Sequence, residues 1–468
     1  MSDDSRRDTS SSADMARRAA LATIAATGIG VAAASGSAAA ARPRTDARPS
    51  APGASLVMTL TPRPGDMTGL LQAAIDRAAD ASIPLLLAPG RFAVRGLALR
   101  TGLDLRGSGR ATRIDVTTPD GALAGENSDG IRLSCLTITG SRTTGRSDGQ
   151  QGLVRIRDSS EVLIEDISIL AAPATALALA RCGGRISRVR VRAAGSAAIF
   201  SIDSAGLAIA DNDIADCADN GILVWTSKPA VDRTIVSGNR IARIGAASGG
   251  SGQFGNGINV FRAGSVIVSG NHITDCAYTA VRGNAASNIQ ITANTCERLG
   301  EVALYSEFGF EGALIQGNIV DRAACGISVT NFNEGGRLAV IQGNLVRNLF
   351  RREHEPQDKR GEGIAVEADA SITGNTIENA PTAGIVIGWG RYMRNVAATG
   401  NVIRNAGIGI AVSSDAQAGT ALVASNLIAG AARGAVRAMR LAEPVGPDLA
   451  AAPQSSVGRI IVQANAVA

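Results

Sequence analysis

Lysine is nearly absent from this chain, with only Lys228 and Lys359 in 468 residues. Its positive charge is therefore carried by arginine, and a net +5 is mild for this length. That balance tolerates an acidic partner, such as a uronate polymer or an anionic surface, without requiring one. No basic cluster is interleaved with aromatics, which argues against nucleic acid. Histidine is limited to His272 and His354. No C-x-x-C pair or Cys/His cluster marks a metal centre, so neither metal nor cofactor is expected. Aromatics make up only 3% of the chain. Cysteine is sparse, at six residues, and its placement bears on its state. Cys217 and Cys276 each stand five residues after a recurring Asn, a slot that other repeats fill with Ala323, Ala380 and Ala406. Buried free thiols are expected there more than disulfides.

What the chain has in quantity is glycine, 55 residues, much of it in a returning phrase. A Gly-Asn pair follows a β-branched run at Asn239, Asn271, Asn318, Asn344, Asn375 and Asn401, with looser copies at Asn212, Asn294, Asn426 and Asn465. Most intervals are 23 to 27 residues, and a Gly-Ile-x-Val phrase recurs between them. A period of that length marks a solenoid whose units stack on one another. Gly and Asn both tolerate left-handed backbone angles, so the pair predicts a tight corner. Stacked Asn side chains can also hydrogen-bond along the axis. Hairpins would need strands pairing within each repeat. The short pieces and constant phase favour parallel pairing between repeats.

The ends read differently. Arg17-Arg18 precede a weakly apolar Ala/Gly-rich run, and small residues follow at Ser37 to Ala40. Residues 1–41 are read as a twin-arginine signal peptide, whose export machinery is then a partner, and whose removal leaves a periplasmic or secreted chain. An ordinary secretory signal or an anchor is the competing reading, disfavoured by the low hydrophobicity of the run. No stable membrane span is expected in the mature chain. Residues 42–55, rich in Pro, Arg and Ser, read as a flexible linker. Residues 56–100 hold a cap helix and the first strands. The helix stripe is Leu70, Leu71, Ala74, Ile75 and Ala78, with Asp66 or Thr68 to cap its start. Residues 101–468 form the repeats.

The helix Leu70-Leu-Gln-Ala-Ala-Ile-Asp76, the Pro89-Gly-Arg-Phe92 turn and the Gly-Asn coils resemble the right-handed parallel β-helix proteins of the pectate-lyase superfamily. With Arg17-Arg18 added, the chain resembles the uncharacterised twin-arginine-translocated repeat proteins. The resemblance covers nearly everything after the signal. It implies an all-β, single-stranded right-handed parallel β-helix, a pectin-lyase-like solenoid with an N-terminal capping helix. It is weak for activity, because such folds host lyases, hydrolases, epimerases and non-enzymatic adhesins. It also implies that a substrate cleft runs along the outer face of the Gly-Ile-x-Val sheet. The polygalacturonase Asp-Asp and His-Gly pairs are missing from the repeats, and so is the calcium-acid cluster of pectate lyases.

Turns flanking Gly-Ile-x-Val are long at Gly245 to Gly257, Leu349 to Gly363, Glu307 to Gly312, Asn331 to Gly336 and Gly388 to Tyr392. Long insertions on a repeat scaffold are where function tends to sit. Eleven of the thirteen aromatics lie between Trp225 and Tyr392. Alternation places Leu223 and Trp225, Asn259 and Phe261, Arg282 and Asn284, Tyr305 and Glu307, Ser328 and Thr330, Ala365 and Glu367 outward on successive coils. Polar character is confined to the middle coils. Glu307 and Glu367, two coils and about 9.6 Å apart at strand spacing, suit an acid and base flanking a water. Arg282, one coil from Glu307, completes the candidate catalytic set. Trp225, Asn259, Phe261, Asn284, Tyr305, Thr330, Trp389, Arg391 and Tyr392 are the candidate substrate contacts, with Arg394 a further cation and Asp369, Glu334, Glu311 and Asp415 further acids. His272 reads as a surface residue, and His354 as part of a charged solvated loop, with a lid acid or base over the groove as the lesser alternative. Two function classes remain: a carbohydrate-binding protein that cleaves or modifies a polysaccharide by carboxylate chemistry (lyase, glycoside hydrolase or epimerase-like), and a non-catalytic scaffold or adhesion module.

Overall fold

The computed structural model describes residues 56–141, 151–353 and 361–468. Those residues form an all-β right-handed parallel β-helix. Its strands pair parallel from coil to coil, beginning with Met58–Leu60 on Leu85–Leu87. Each full coil contributes three strands. The leading strand runs into the Asn corner, the trailing strand leaves it, and the floor strand carries Gly-Ile-x-Val. Stacking makes three sheets from them. Ile, Val and Leu side chains alternate inward and fill one continuous interior, with Phe92 and Phe310 its largest members.

The recurring Asn builds a ladder. Asn294, Asn318 and Asn344 show the rule. Asn318 Nδ2 donates to the Ile291 carbonyl at 2.8 Å and to Asn344 Oδ1 at 3.0 Å. Its own Oδ1 accepts from the N–H and the Nδ2 of Asn294. Both amide hydrogens and both lone-pair directions are used, so the side chain is buried at no cost in lost hydrogen bonds. The same links join Asn212 through Asn239, Asn271, Asn375, Asn401 and Asn426 to Asn465. The left-handed angle expected of the pair falls on the residue before Asn, not on Asn itself. Gly317 has φ +63° and an added Cβ there would meet nothing, so backbone angle alone selects glycine. The glycine of Gly-Ile-x-Val has a different reason. At Gly363 a Cβ would lie 2.3 Å from the Gly384 carbonyl oxygen of the next coil.

The corner after the trailing strand also takes left-handed angles, but with charged residues: Asp216, Arg243, Asp275 and Arg298. Two-pronged ion pairs hold them, Arg243 to Asp216 at 2.6 and 2.9 Å and Arg298 to Asp275 at 2.8 and 2.9 Å.

Both ends of the described stack are covered. Helix α1, Thr68–Asp80, buries Leu71, Ala74, Ile75 and Ala78 against the first coils. Leu70 lies at the rim of that stripe and is 47% exposed, contrary to its expected inward place. Asp66 accepts the Thr68 N–H at 2.8 Å. At the far end the pairing turns antiparallel: Glu443–Val445 lies on Val436–Arg440, and Gln454–Val457 on Ile460–Gln463. Antiparallel covers blunt edges that would otherwise template further strands. No periodic signal announced them. Five cysteines are buried, Cys135 is exposed, and all six are free. Burial pushes the Cys217 thiol up to about 12.

Asn318→Ala strips partners from four buried polar groups at once. It should cost about 3 kcal/mol or more in urea unfolding, whereas exposed Asn333→Ala should stay within about 0.5 kcal/mol. Equal, small effects would refute the ladder as a stabilising element.

Candidate functional site

The outward columns of the floor sheet fall where alternation places them. Leu223, Asn259, Arg282, Tyr305, Ser328, Ala365, Val386 and Ala411 are register partners on successive strands. Beside them run Trp225, Phe261, Asn284 and Glu307. Thr330 and Glu367 continue that column, their N–H groups donating to the Ser306 and Val329 carbonyls.

The column begins in a run of aromatic rings. Phe200, Trp225 and Phe261 meet edge to face, with centroids 5.3 and 5.5 Å apart. Arg262 lies over Phe261 at 4.6 Å. Trp225 and Phe261 keep partly exposed surfaces, while Phe200 and Leu223 are buried although they point away from the interior. Phe200 was missed in the sequence because it precedes the aromatic-rich stretch. Its alternation phase could have found it.

The centre is charged and closed. Arg282 Nε donates to Glu307 Oε1 at 2.6 Å, and Asn284 Nδ2 donates to the same oxygen at 2.9 Å. Arg282 lies over the Tyr305 ring at 4.8 Å. Burial, aided by the Glu307 charge, raises the Tyr305 phenol well above its ordinary value, although part of the residue remains at the surface. Glu307 is only 1% exposed and Arg282 3%. A solvent-facing Glu307, as alternation suggested, is therefore corrected. It points outward from the sheet but is enclosed.

The enclosure comes from the long turns. In the 245–257 turn the Gly252 carbonyl accepts from Asn256 and Asn259 at 3.2 Å each, which carries Asn259 out of solvent too. From the 349–363 turn, Arg352 reaches Glu301 at 3.6 Å and lies 5.8 Å from the Tyr278 ring. Glu301 in turn lies 3.9 Å from Arg282. One insertion thus binds Asn259 of the floor, and the other joins the Glu301–Arg282–Glu307 charge cluster. Glu301, Arg352 and Tyr278 were not singled out in the sequence, because they sit on turns whose conformation periodicity does not set.

Glu367 differs from Glu307. It is partly exposed, and its Oε2 accepts the Phe332 N–H at 2.6 Å from the 331–336 turn. Burial holds its carboxyl above the usual value, opposed by the N–H groups of Phe332 and Asn331. Neighbouring charges are committed elsewhere. Arg394 grips Asp369 through Nε and Nη2 and covers Phe332 at 4.5 Å. Its hydrogen bonds hold the Asp369 carboxyl below the ordinary range. Arg337 pairs with Glu311. Arg394, Asp369 and Glu311 are therefore each already paired within the chain. Arg391 is exposed and donates to the Tyr392 hydroxyl at 3.2 Å, beside half-buried Trp389.

His272 is exposed and 3.9 Å from Glu297, on the trailing sheet. His354 lies outside the described residues. Among the described residues no three His, Cys, Asp or Glu side chains converge as a metal site, and no helix is long and apolar enough to cross a membrane. A depression of about 700 Å³ lies off the floor, at the corner between Arg243 and Phe350. Arg243 and Arg298 in it are already engaged by Asp216 and Asp275.

A family model described as right handed beta helix region matches residues 175–346. Among solved structures, the chain is similar to the catalytic unit of a thermostable GH87 α-1,3-glucanase from Streptomyces thermodiastaticus. Identity is 14% and the TM-score 0.47, over 86% of this chain and 66% of that one, just under two thirds of its length. It is also similar to PfbA, a surface adhesin of Streptococcus pneumoniae, at 14% identity and TM-score 0.45, covering 80% and 88%. The pre-mature gene product 12 of bacteriophage phi29 matches at 14% and 0.44, covering 78% and 71%. No functionally curated protein matches. These likenesses are of fold alone.

Glu307→Gln removes the nearest counter-charge of buried Arg282, leaving only Glu301 at 3.9 Å, and should destabilise by about 3 kcal/mol, with Arg282→Met/Glu307→Leu recovering most of the loss. Chemical denaturation checks both. For Glu367 the folded pKa is raised, so the folded state holds the proton more tightly than the unfolded state. That contribution is full below the unfolded pKa and lost as pH rises through the folded one. Glu367→Gln should therefore help stability more at pH 7 than at pH 4, and an equal effect at both would contradict the burial argument.

Proposed function

We propose that this chain is an exported β-helix protein that binds a polysaccharide along the outward face of the floor sheet. The observation that carries the reading is the order of groups on that face. Partly exposed Trp225 and Phe261 stand at one end, polar Asn284, Tyr305, Thr330 and Glu367 in the middle, and Trp389, Arg391 and Tyr392 at the other. Flat aromatic faces pack on the apolar faces of sugar rings, and the polar middle supplies hydrogen bonds to hydroxyls. The turns at 245–257 and 331–336 contact the same coils through Asn259 and Glu367. The GH87 and PfbA neighbours share the fold, not evidence of ligand.

Binding without turnover is the reading that the buried Glu307–Arg282 pair favours. A base that is 1% exposed and already paired cannot activate a water unless the cluster opens. The catalytic reading draws its support from Glu367. A partly exposed carboxyl with a raised pKa suits a general acid, and strand spacing puts Glu307 about 9.6 Å from it, near the upper end for an inverting pair. Export is supported by Arg17-Arg18 ahead of the Ala/Gly run, outside the described residues.

Only Trp225 and Trp389 are indoles, so intrinsic fluorescence reports binding directly. On a panel of uronate, glucan and peptidoglycan polymers, a ligand should shift emission, and Trp225→Ala or Trp389→Ala should each weaken binding about tenfold. No emission change with any polymer would remove the groove reading. With a bound polymer in hand, Glu367→Gln separates the two classes: turnover lost with affinity kept supports the enzyme, and no turnover in the parent supports the binding module. Arg17→Lys/Arg18→Lys fused ahead of a folded reporter should abolish its export.

A further inference from the structure

The leading sheet carries a face that the binding groove does not use. From Ala208 and Ala210 to Ile461 and Gln463, ten successive strands pair in parallel register. Each shows two outward positions before its Asn corner, and none of those positions is charged. This occurs in a chain where 19% of residues are charged. On the trailing sheet of the same coils, Arg240, His272, Glu297, Asp321, Arg347, Glu378 and Arg404 face outward. Over these ten strands charge is therefore absent from one face and present on its neighbour, while the earlier coils of the leading sheet carry Arg185, Glu165 and Arg132 in the same columns.

The two columns also differ from each other. The first is largely aliphatic, with Ile235 43%, Val340 40% and Ile461 39% exposed. The second is mainly Ser, Thr and Gln. Gln316 and Gln342 in it are exposed and in register, and Thr373 and Thr399 hydroxyls hydrogen-bond at 3.2 Å. An apolar stripe thus runs beside a hydrogen-bonding stripe, with both groups repeating at strand spacing. A shallow depression of about 600 Å³ opens along the strip's edge, where Gln290, Leu314, Val340 and Ser371 meet Asn395 and Asp369, the latter already paired with Arg394.

Dimensions select the partner. Nine strand intervals span about 43 Å, and two alternate positions span roughly 7 Å, so the strip covers roughly 300 Å². A stable protein interface needs about 800 Å² per partner, which a second copy docked on this strip alone would not reach. An extended peptide draws its affinity from an open strand edge, and the middle of a sheet has none. Polyanions such as uronates or nucleic acids need cations, and the two columns hold none. What remains is an uncharged, extended, polyhydroxylated polymer, whose apolar ring faces meet the aliphatic column while its hydroxyls meet the Ser/Thr/Gln column. The geometry points to this face as a second track, separate from the floor sheet, for a neutral glycan chain lying along the solenoid axis.

Hydroxyl-radical footprinting tests it, using the full chain with laminarin, dextran and galactomannan as neutral probes and polygalacturonate as the anionic one. At least one neutral glycan should protect Leu314 and Val340 severalfold, and polygalacturonate should not. Protection should persist in Trp225→Ala/Trp389→Ala, which disables the floor groove, so that failure of one site is distinguishable from failure of the other. Gln290→Glu/Gln316→Glu/Gln342→Glu alters exposed side chains only and should weaken that protection at least tenfold, with the unfolding midpoint unchanged. Absence of protection by all three neutral glycans overturns the proposal. So does protection that vanishes with the two tryptophans, or concentration-dependent dimerisation that protects Leu314 and Val340 without any glycan.

Discussion

The asparagine ladder is the constraint on which everything else depends. A parallel sheet stack has no short turn to set its register, and a one-residue slip would turn every outward side chain inward. Here each buried Asn binds the corner before it and the corner after it, so a slip in any coil would break four hydrogen bonds at once. The residue before it supplies the left-handed angle that turns the chain, and the Gly-Ile-x-Val glycine lets neighbouring coils approach. Together these keep three flat sheets vertical over many coils. A row of side chains on any sheet is then a true row in space, which is the condition for a site that reads a linear polymer.

Within that frame the faces diverge by composition. The floor sheet gathers aromatics and buried charge beneath long turns. From Ala208 onward the leading sheet carries no charge in its two outward columns, whereas its first coils carry Asp104, Arg106, Arg132, Glu165 and Arg185 there. The trailing sheet is an ordinary solvated surface laced with ion pairs. Arg282 and Glu307 belong to the floor, but their burial gives them a different role from open catalytic groups. They hold Tyr305 and Asn284 in place, and through Glu301 they reach Arg352 of the later inserted turn, while the earlier one is tied to the floor by Asn259 and the Gly252 carbonyl. Removing one partner of such a pair strands the other charge, so its contribution is to fix a conformation more than to add stability.

Much of this was legible in the residues. The period gave the solenoid, alternation gave both floor columns strand by strand, and the small-residue slot gave the buried thiols Cys217 and Cys276. What the residues did not disclose was depth. Whether Glu307 is open depends on how a thirteen-residue turn from Gly245 to Gly257 folds and how far Arg282 reaches across a coil, and neither is periodic. The antiparallel covers at 443–445 and 454–457 were hidden for the same reason. Leu70 shows the opposite error: a helical stripe drawn one residue too wide. The uncharged leading face was present in the letters all along, but it becomes visible only once Ile235, Ile267, Gln290 and Leu314 are known to share a column.

The central claim is that a straight register places Trp225, Tyr305, Glu367 and Trp389 along one groove that holds a sugar polymer. Diffraction from crystals soaked with an oligosaccharide drawn from a polymer that shifts tryptophan emission addresses it most directly. The account predicts sugar rings in series along the floor sheet between Trp225 and Trp389, with a hydroxyl within hydrogen-bonding distance of Glu367. Sugar density seated only at the corner by Arg243 and Phe350, or on the trailing sheet, would contradict it.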